Sequence, residues 1–338
     1  MRLSIVSVIA LLIGTIVAAP AGAEPPIAAQ DPPSGGAGVG IQLLEAPVSL
    51  VDDPRARIYI VDNLPPGTVI DRRVAVTNTS DAPTTVRLYP AAAEIGKDGF
   101  VFGNERTQNE LSSWMSVTPS EVQLPPGQSA EAIVQVAVPP DATEGERYAV
   151  AWAEVDTPTP GGAIAARSRV GIRAYVSVGP GNGPPEEFLV STITPSRAAS
   201  GAPEVQIGID NTGGRALDPS ATVTLTGGPG GLSAQPTNGS GDSIAPGASG
   251  TLTVALDPAL PDGPWTADVS VTSGRVSREG SASVTFPEAG TGTSAELATT
   301  RNGGVPFWVW ILVAGFVAIA IGVAVTARRR TAGSGHRP

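Results

Sequence analysis

Residues Leu124–Val155 read LPPGQSAEAIVQVAVPPDATEGERYAVAWAEV, and this stretch decides the fold class. A Pro-Gly turn leads into residues 133–138, where every second residue is valine, and Pro139 ends that run. After an acidic loop, the larger residues of Tyr148–Trp152 alternate with alanines. A period of two residues is typical of half-buried β-strands. The stretch therefore predicts two neighbouring antiparallel strands of a β-sandwich.

The same order of strands and turns occurs twice in the chain. Val74–Thr79 and Val205–Thr212 both end an apolar alternation on Asn-Thr, and a Pro-Gly turn precedes a later alternation in each half. This repetition predicts an all-β protein of two tandem immunoglobulin-like β-sandwiches. We expect the first sandwich to open with strands at Ile41–Leu50 and Arg57–Val61. The predicted segments are a flexible leader at 24–40, a first sandwich at 41–178, a linker at 179–185, a second sandwich at 186–287 and a stalk at 288–304.

Both ends of the chain carry membrane signals. Met1–Ala23 has one cation, an apolar run and a final Ala-Gly-Ala, which predicts a cleaved signal peptide. Val305–Ala327 is an uninterrupted apolar run of 23 residues, long enough to form a transmembrane helix. Three arginines follow it, so the positive-inside rule places the tail at 328–338 in the cytoplasm. The chain is therefore expected to be a single-pass type I protein of the cell membrane, with its mass outside.

The composition bounds the classes of ligand. The region between the two membrane signals has 16 cationic and 31 acidic residues, a net charge of −15, which repels nucleic acid. Cysteine is absent, which excludes disulfides, zinc–thiolate sites and thiol nucleophiles. An exported protein without disulfides is ordinary in many bacteria, and we expect a bacterial source.

Catalytic chemistry has little support in the sequence. His336 is the only histidine and lies in the predicted cytoplasmic tail, so the extracellular part cannot form a Ser-His-Asp triad. Residues 93–114 form an insertion with four acids, which leaves paired carboxylates to be considered, but acids on an exposed loop are mostly solvated. We expect no catalytic residue, no cofactor and no enzyme activity. The four acids are Glu94, Asp98, Glu105 and Glu110.

Three acids are close enough in sequence to be considered as calcium ligands. Asp141, Glu144 and Glu146 lie in the loop between the two strands of the opening stretch, but their spacing matches no EF-hand. A solvated acidic turn is the favoured interpretation, and no metal site is predicted.

Two groups of side chains are candidates for ligand binding. One face of the last strand of the first sandwich carries Arg167, Arg169 and Arg173. Their guanidinium groups could bind the carboxylates or phosphates of a ligand. The alternative is that they pair with neighbouring acids of the protein itself. Aromatic rings suit the faces of sugars, although core packing explains such residues equally well. The aromatic candidates are Tyr89, Phe100, Phe102 and Tyr175.

The first half of the chain resembles a known domain. The strings VAVTNTS at Val74–Ser80, LPPGQS at Leu124–Ser129 and VPPDATEGERY at Val138–Tyr148, together with Trp114, resemble the peptidoglycan-binding domain of WxL-interacting cell-surface proteins. Members of that family are Gram-positive surface proteins with a signal peptide, two extracellular β-domains, a membrane helix and a basic tail. The resemblance implies noncovalent binding to peptidoglycan or a wall-associated partner. The alternative is a protein–protein interaction or adhesion module that docks through a strand edge or the inserted loop and has no wall affinity.

Overall fold

A computed structural model describes residues 38–157, 166–181 and 183–297. The predicted signal peptide, membrane helix and cytoplasmic tail lie outside the described residues. Among the described helices, none has the length and apolarity needed to cross a bilayer.

In the described residues, the first sandwich contains ten strands and one short α-helix. One sheet has the order β1-β3-β8-β6, and the other has the order β2-β10-β9-β4-β5, with β7 also paired to β4. The strands are β1 Val39–Leu43, β2 Ile60–Leu64, β3 Val69–Asn78, β4 Thr84–Gly96, β5 Gly99–Phe102, β6 Met115–Thr118, β7 Glu121–Leu124, β8 Ser129–Ala137, β9 Gly145–Thr157 and β10 Ala166–Val178, and the helix is α1 Glu110–Trp114.

The core of the first sandwich lies between these two sheets. Val74 and Val134 face it from one sheet, and Ala151 and Ile172 face it from the other. Of the opening stretch, β8 directs its valines inward as the alternation predicts, but β9 directs its alanines inward. The large residues of β9 therefore lie on the outward side of the sheet, which other segments cover.

The second sandwich is built from β11 to β19. One sheet has the order β15-β12-β11, with β18 and β19 both paired to the free edge of β11, and the other has the order β14-β13-β16-β17. Trp265, Phe188 and Ile207 are fully buried between them. The strands are β11 Phe188–Arg197, β12 Pro203–Asn211, β13 Ser220–Thr226, β14 Thr237–Ser240, β15 Ser249–Ala255, β16 Trp265–Ser273, β17 Val276–Val284, β18 Gly290–Thr291 and β19 Ala295–Glu296.

The repeated Asn-Thr and Pro-Gly motifs form the same contacts in both halves. The amide of Asn78 donates to the backbone carbonyls of Ala82 and Leu124, at 2.8 and 2.9 Å. The amide of Asn211 likewise donates to the carbonyls of Arg215 and Ile244, at 2.8 and 3.0 Å. In each half the glycine of the Pro-Gly turn donates its N–H to the carbonyl of that asparagine. A buried asparagine thus fastens the end of one strand to the turn before another in both sandwiches.

The opening of the first sandwich differs from the prediction. Instead of strands at Ile41–Leu50 and Arg57–Val61, β1 ends at Leu43 and 3-10 turns occupy Val48–Leu50 and Pro54–Arg57 before β2 begins. Pro47 and Pro54 lie at the starts of these turns, and proline provides no backbone N–H for a strand ladder and has a fixed φ. The Asp53 side chain also accepts a hydrogen bond from the N–H of Arg55 at 2.9 Å, which closes the second turn.

Two further segments depart from expectation. Residues 110–114, at the end of the predicted insertion, form α1, because Asn109 and Ser112 cap it reciprocally. The predicted stalk at 288–304 begins inside the second sandwich, since β18 and β19 pair with β11. The backbone N–H of Leu297 donates to the carbonyl of Ser191, so the chain runs antiparallel to β11, back toward the first sandwich.

Candidate functional site

The outward surface of sheet β2-β10-β9-β4-β5 gathers aromatic and arginine side chains. Alternate residues of β9 and β10 face the core, so their neighbours in sequence point outward. All seven residues predicted to bind a ligand lie on or beside this one surface. We call it the arginine–aromatic face, and its members are Tyr89, Phe100, Phe102, Tyr148, Trp152, Arg169, Arg173 and Tyr175.

Trp152 lies at the centre of the face, with 5% of its surface exposed. Its neighbours across the sheet are Tyr89 on β4 and Gly171 on β10. A Cβ at position 171 would lie 2.6 Å from Val150 and 2.7 Å from the indole ring. Glycine is therefore required here in mid-strand, because the indole leans over it.

Guanidinium groups stack on the rings of the face. Arg169 lies 4.2 Å from the centroid of Trp152, and Arg106 lies 4.1 Å from that of Tyr89. Such contacts are favourable because the cation meets the electron-rich face of the ring, by about 0.5–2 kcal/mol each. Arg169 also donates to the backbone carbonyl of Glu105 at 3.1 Å, which ties β10 to the inserted loop.

Carboxylates border the face on one side. Glu154 accepts hydrogen bonds from the hydroxyl of Tyr89 at 2.6 Å and from Arg87 at 3.1 Å. Burial acts to raise the pKa of Glu154, but the hydrogen bonds from Tyr89 and Arg87 outweigh it and lower that pKa below its ordinary value. Arg87 also bonds Asp156 through two nitrogens at 2.7 and 2.8 Å, and these bonds lower the pKa of Asp156. Both acids are thus held ionised beside the arginines.

Only some side chains of the face are exposed to solvent. Phe102 is 39% exposed and packs edge-on against Trp152, with centroids 4.9 Å apart. Arg167 is also exposed, 3.6 Å from Asp156. Tyr175 has no exposed surface and Tyr89 has 7%, so neither ring can contact a polymer in this arrangement. The exposed candidates are therefore Phe102 and Arg167, whereas Phe100, Arg169 and Arg173 are half-buried.

The other end of the face is covered by the second sandwich. Arg55, 5% exposed, reaches across and donates to the carbonyl of Ala216 at 2.7 Å, with its Nε 2.7 Å from Asp218. Its guanidinium also lies 4.6 Å from the ring centroid of Tyr175, whose hydroxyl donates to Asp218 at 3.2 Å. We call this contact the interdomain seam, and its polar members are Arg55, Glu146, Arg173, Tyr175, Glu186, Asp218 and Ser243.

Two acids of the seam are costly to ionise. Glu146 accepts from the backbone N–H of Ala216 at 2.6 Å and from the hydroxyl of Tyr148 at 2.8 Å. Burial nevertheless raises its pKa above the ordinary value, and burial does the same for Glu186 despite the charge of Arg55. Glu146 thus belongs to the seam rather than to a calcium loop with Asp141 and Glu144.

The remaining acidic candidates do not converge. Glu110 pairs with Arg147 at 2.9 Å, and Asp98 pairs with Lys97 next to it in sequence. Within 38–157, 166–181 and 183–297, no three His, Cys, Asp or Glu side chains are arranged to hold a metal ion.

Sequence reasoning missed two members of the face and one member of the seam. Trp152 and Tyr148 were assigned only to a strand alternation, and Arg55 was not singled out. The available signal was that β9 has apolar residues on both of its sides, alanines on one and larger residues on the other, so that both sides need to be covered.

Comparison with known proteins leaves the family open. No protein-family model and no curated protein matches the chain. Among solved structures, the Escherichia coli chaperone DraB is 16% identical with a TM-score of 0.36, and the match covers 71% of this chain and 94% of that one. The Pseudomonas aeruginosa CupB2 chaperone is 14% identical with a TM-score of 0.34, covering 67% and 97%. The YadV chaperone is 10% identical with a TM-score of 0.39, covering 73% and 100%. Likeness at this level assigns neither a family nor a function.

Proposed function

We propose that the protein is a membrane-anchored, noncatalytic surface protein whose first sandwich binds peptidoglycan through the arginine–aromatic face. The observation that carries the proposal is that the exposed ring of Phe102 and the guanidinium group of Arg169 both pack against Trp152, 4.9 and 4.2 Å from its ring centroid. Peptidoglycan consists of glycan strands in which every second sugar bears a short peptide with free carboxylates. An aromatic ring suits the apolar face of a sugar, and a guanidinium suits a carboxylate.

The resemblance of the first sandwich to the WxL-interacting family supports the same ligand. Anchoring rests on the predicted signal peptide and on the apolar run at 305–327. The absence of a histidine outside the tail at 328–338 supports a binding role rather than acyl transfer by a Ser-His-Asp triad.

The first test is cosedimentation of the ectodomain with sacculi stripped of protein and wall polymers. We expect Phe102→Ala to weaken binding about twofold to tenfold, the range expected for loss of one aromatic contact. Val101→Ala is the matched control, because Val101 is 40% exposed and its side chain points to the opposite face of β5. Equal binding by the two variants would contradict the proposal.

The arginines are tested in the same assay. Arg167→Ala combined with Arg169→Ala should weaken binding and reduce its dependence on salt, because screening acts on charge contacts. Arg73→Ala is the control, since Arg73 is an exposed arginine on the opposite sheet, where it pairs with Glu45 and Glu131. Unchanged binding by the double variant would remove the arginines from the site.

A second candidate is docking of a protein partner along β10. β2 pairs with β10 only over Ala174–Val178. In the described part of the chain, residues 169–173 of β10 form a ladder with β9 only, and β1 packs close to β10 without a ladder. An open strand edge can accept an added strand. Binding only to walls that retain their proteins, lost after trypsin treatment, would favour this candidate over peptidoglycan.

A further inference from the structure

We infer that the second sandwich is a positioning element for the arginine–aromatic face, acting on Phe102 through Arg173 and the β4–β5 hairpin. The inference begins from Arg173, which belongs to both the face and the seam. Its guanidinium lies 3.3 Å from the hydroxyl of Ser243 and 3.7 Å from Asp218, both in the second sandwich. The same guanidinium lies 4.7 Å from the ring centroid of Phe100 in the hairpin.

The tip of the hairpin also touches the second sandwich directly. Gly99 has φ +84°, and a Cβ there would lie 2.7 Å from the Cβ of Asp242. Only glycine combines this backbone conformation with so close an approach. Residues 242–243 are therefore linked to the hairpin in two ways. Asp242 contacts its tip directly, and Ser243 contacts Arg173, which in turn lies over Phe100.

The hairpin in turn sets the position of the exposed ring. Phe100 and Phe102 lie edge-on with centroids 5.5 Å apart, and Phe102 rests on Trp152. Phe100 is also held between Tyr148 and Tyr175, at 6.2 and 5.3 Å. Contacts thus run without a gap from Ser243 to Phe102. A second sandwich that served only as a spacer would not require them.

The test uses the whole ectodomain with Ser243→Ala, which removes one hydrogen-bond acceptor of Arg173 and a hydroxyl that donates to Asp218. We expect amide hydrogen exchange across residues 99–107 to accelerate about threefold to tenfold, which corresponds to the net worth of one such hydrogen bond. Exchange in β3 should stay unchanged. Ser249→Ala is the matched control, because Ser249 makes the same kind of bond, 2.6 Å to Asp210, away from the hairpin.

Sacculus binding is the second measurement, and only this part rests on the proposed function. Ser243→Ala should weaken binding although residue 243 lies outside the arginine–aromatic face. Asp218→Asn, which keeps the side-chain volume, should reproduce both effects. Unchanged exchange at 99–107 would overturn the positioning role whatever the sacculi show. If the wild-type protein binds no sacculi, the proposed function fails and the exchange result still decides the positioning role.

Discussion

Arg55 is the residue on which the contact between the sandwiches most depends. It is buried, it lies against Asp218 and Glu186, and it donates to a backbone carbonyl of the other sandwich. Breaking a buried pair costs more than its presence gains, because the partner is left as an uncompensated buried charge. Nothing in the local sequence around Arg55 marks it, since Glu186, Ala216 and Asp218 all lie more than 130 residues away.

Arg55→Ala should therefore be severely destabilising. We expect a loss of up to about 3–5 kcal/mol, limited by the free energy at which the two sandwiches separate. Thermal unfolding together with small-angle scattering would show a lower Tm and a larger radius of gyration. Arg73→Ala, in which an exposed ion pair is removed, should cost about 1 kcal/mol or less. Equal effects of the two substitutions would mean that the seam does not hold the sandwiches together.

At the scale of elements, the orientation of β9 and β10 is what the sequence pattern leaves undetermined. Their alternation predicted the strands correctly, and the Asn-Thr and Pro-Gly repeats predicted two sandwiches with matching turns. The pattern could not show which side of β9 meets the core, because a period of two is the same for both sides. The assignment depends on the β4–β5 hairpin and on the second sandwich, which cover the large residues from outside.

Gly171→Ala tests the close contact between these two strands. The added methyl would meet Val150 and Trp152, so we expect a loss of about 1–3 kcal/mol and a changed tryptophan fluorescence as the indole shifts. Gly40→Ala is the control in β1, where a Cβ would have its closest neighbour at an ordinary 3.8 Å. That substitution should be neutral or slightly stabilising. Urea unfolding of both variants would decide between a required glycine and a tolerated one.

The sequence predicts the residue types of the candidate site but not which of these residues are exposed. Arg167, Arg169 and Arg173 were placed on one face by their spacing, and the structure adds Phe100 and Phe102 from the inserted hairpin. Tyr175 was a reasonable candidate, but it is covered by Asp218 and Arg55. Contacts between residues so distant in the chain depend on domain docking, which no local periodicity encodes.

At the scale of the whole molecule, the seam makes stability depend on pH. A carboxyl whose pKa is raised in the fold binds its proton more tightly there than in the unfolded chain. Its contribution to the free energy of unfolding is therefore complete below the ordinary pKa of about 4.3, and this contribution is lost as the pH rises through the raised pKa. Glu146 and Glu186 are of this kind. Glu154 and Asp156 have lowered pKa values, and their contribution is lost as the pH falls through those values.

We therefore expect the free energy of unfolding to rise as the pH is lowered from neutral toward the ordinary glutamate pKa of about 4.3, and to fall at lower pH. Urea unfolding at a series of pH values would measure this profile. Glu186→Gln removes one titrating group of the seam and should flatten the rise, whereas Glu131→Gln, at an exposed position, should leave it unchanged. A wild-type stability that falls steadily from pH 7 downward would show that the seam acids do not dominate.

The return of residues 290–297 along β11 has a consequence for how the molecule stands on a cell. Leu297 bonds Ser191, about 17 Å along the strand from Glu186 in the seam. If 305–327 crosses the bilayer as predicted, the seven residues between span at most about 25 Å. The protein would then be anchored near its middle rather than at its tip, with both sandwiches at a similar distance from the lipid. Distances from the lipid to a single labelled cysteine in each sandwich would check this, and a first sandwich much farther from the lipid than the second would contradict it. Such a protein would reach only the thin layer of wall next to the membrane.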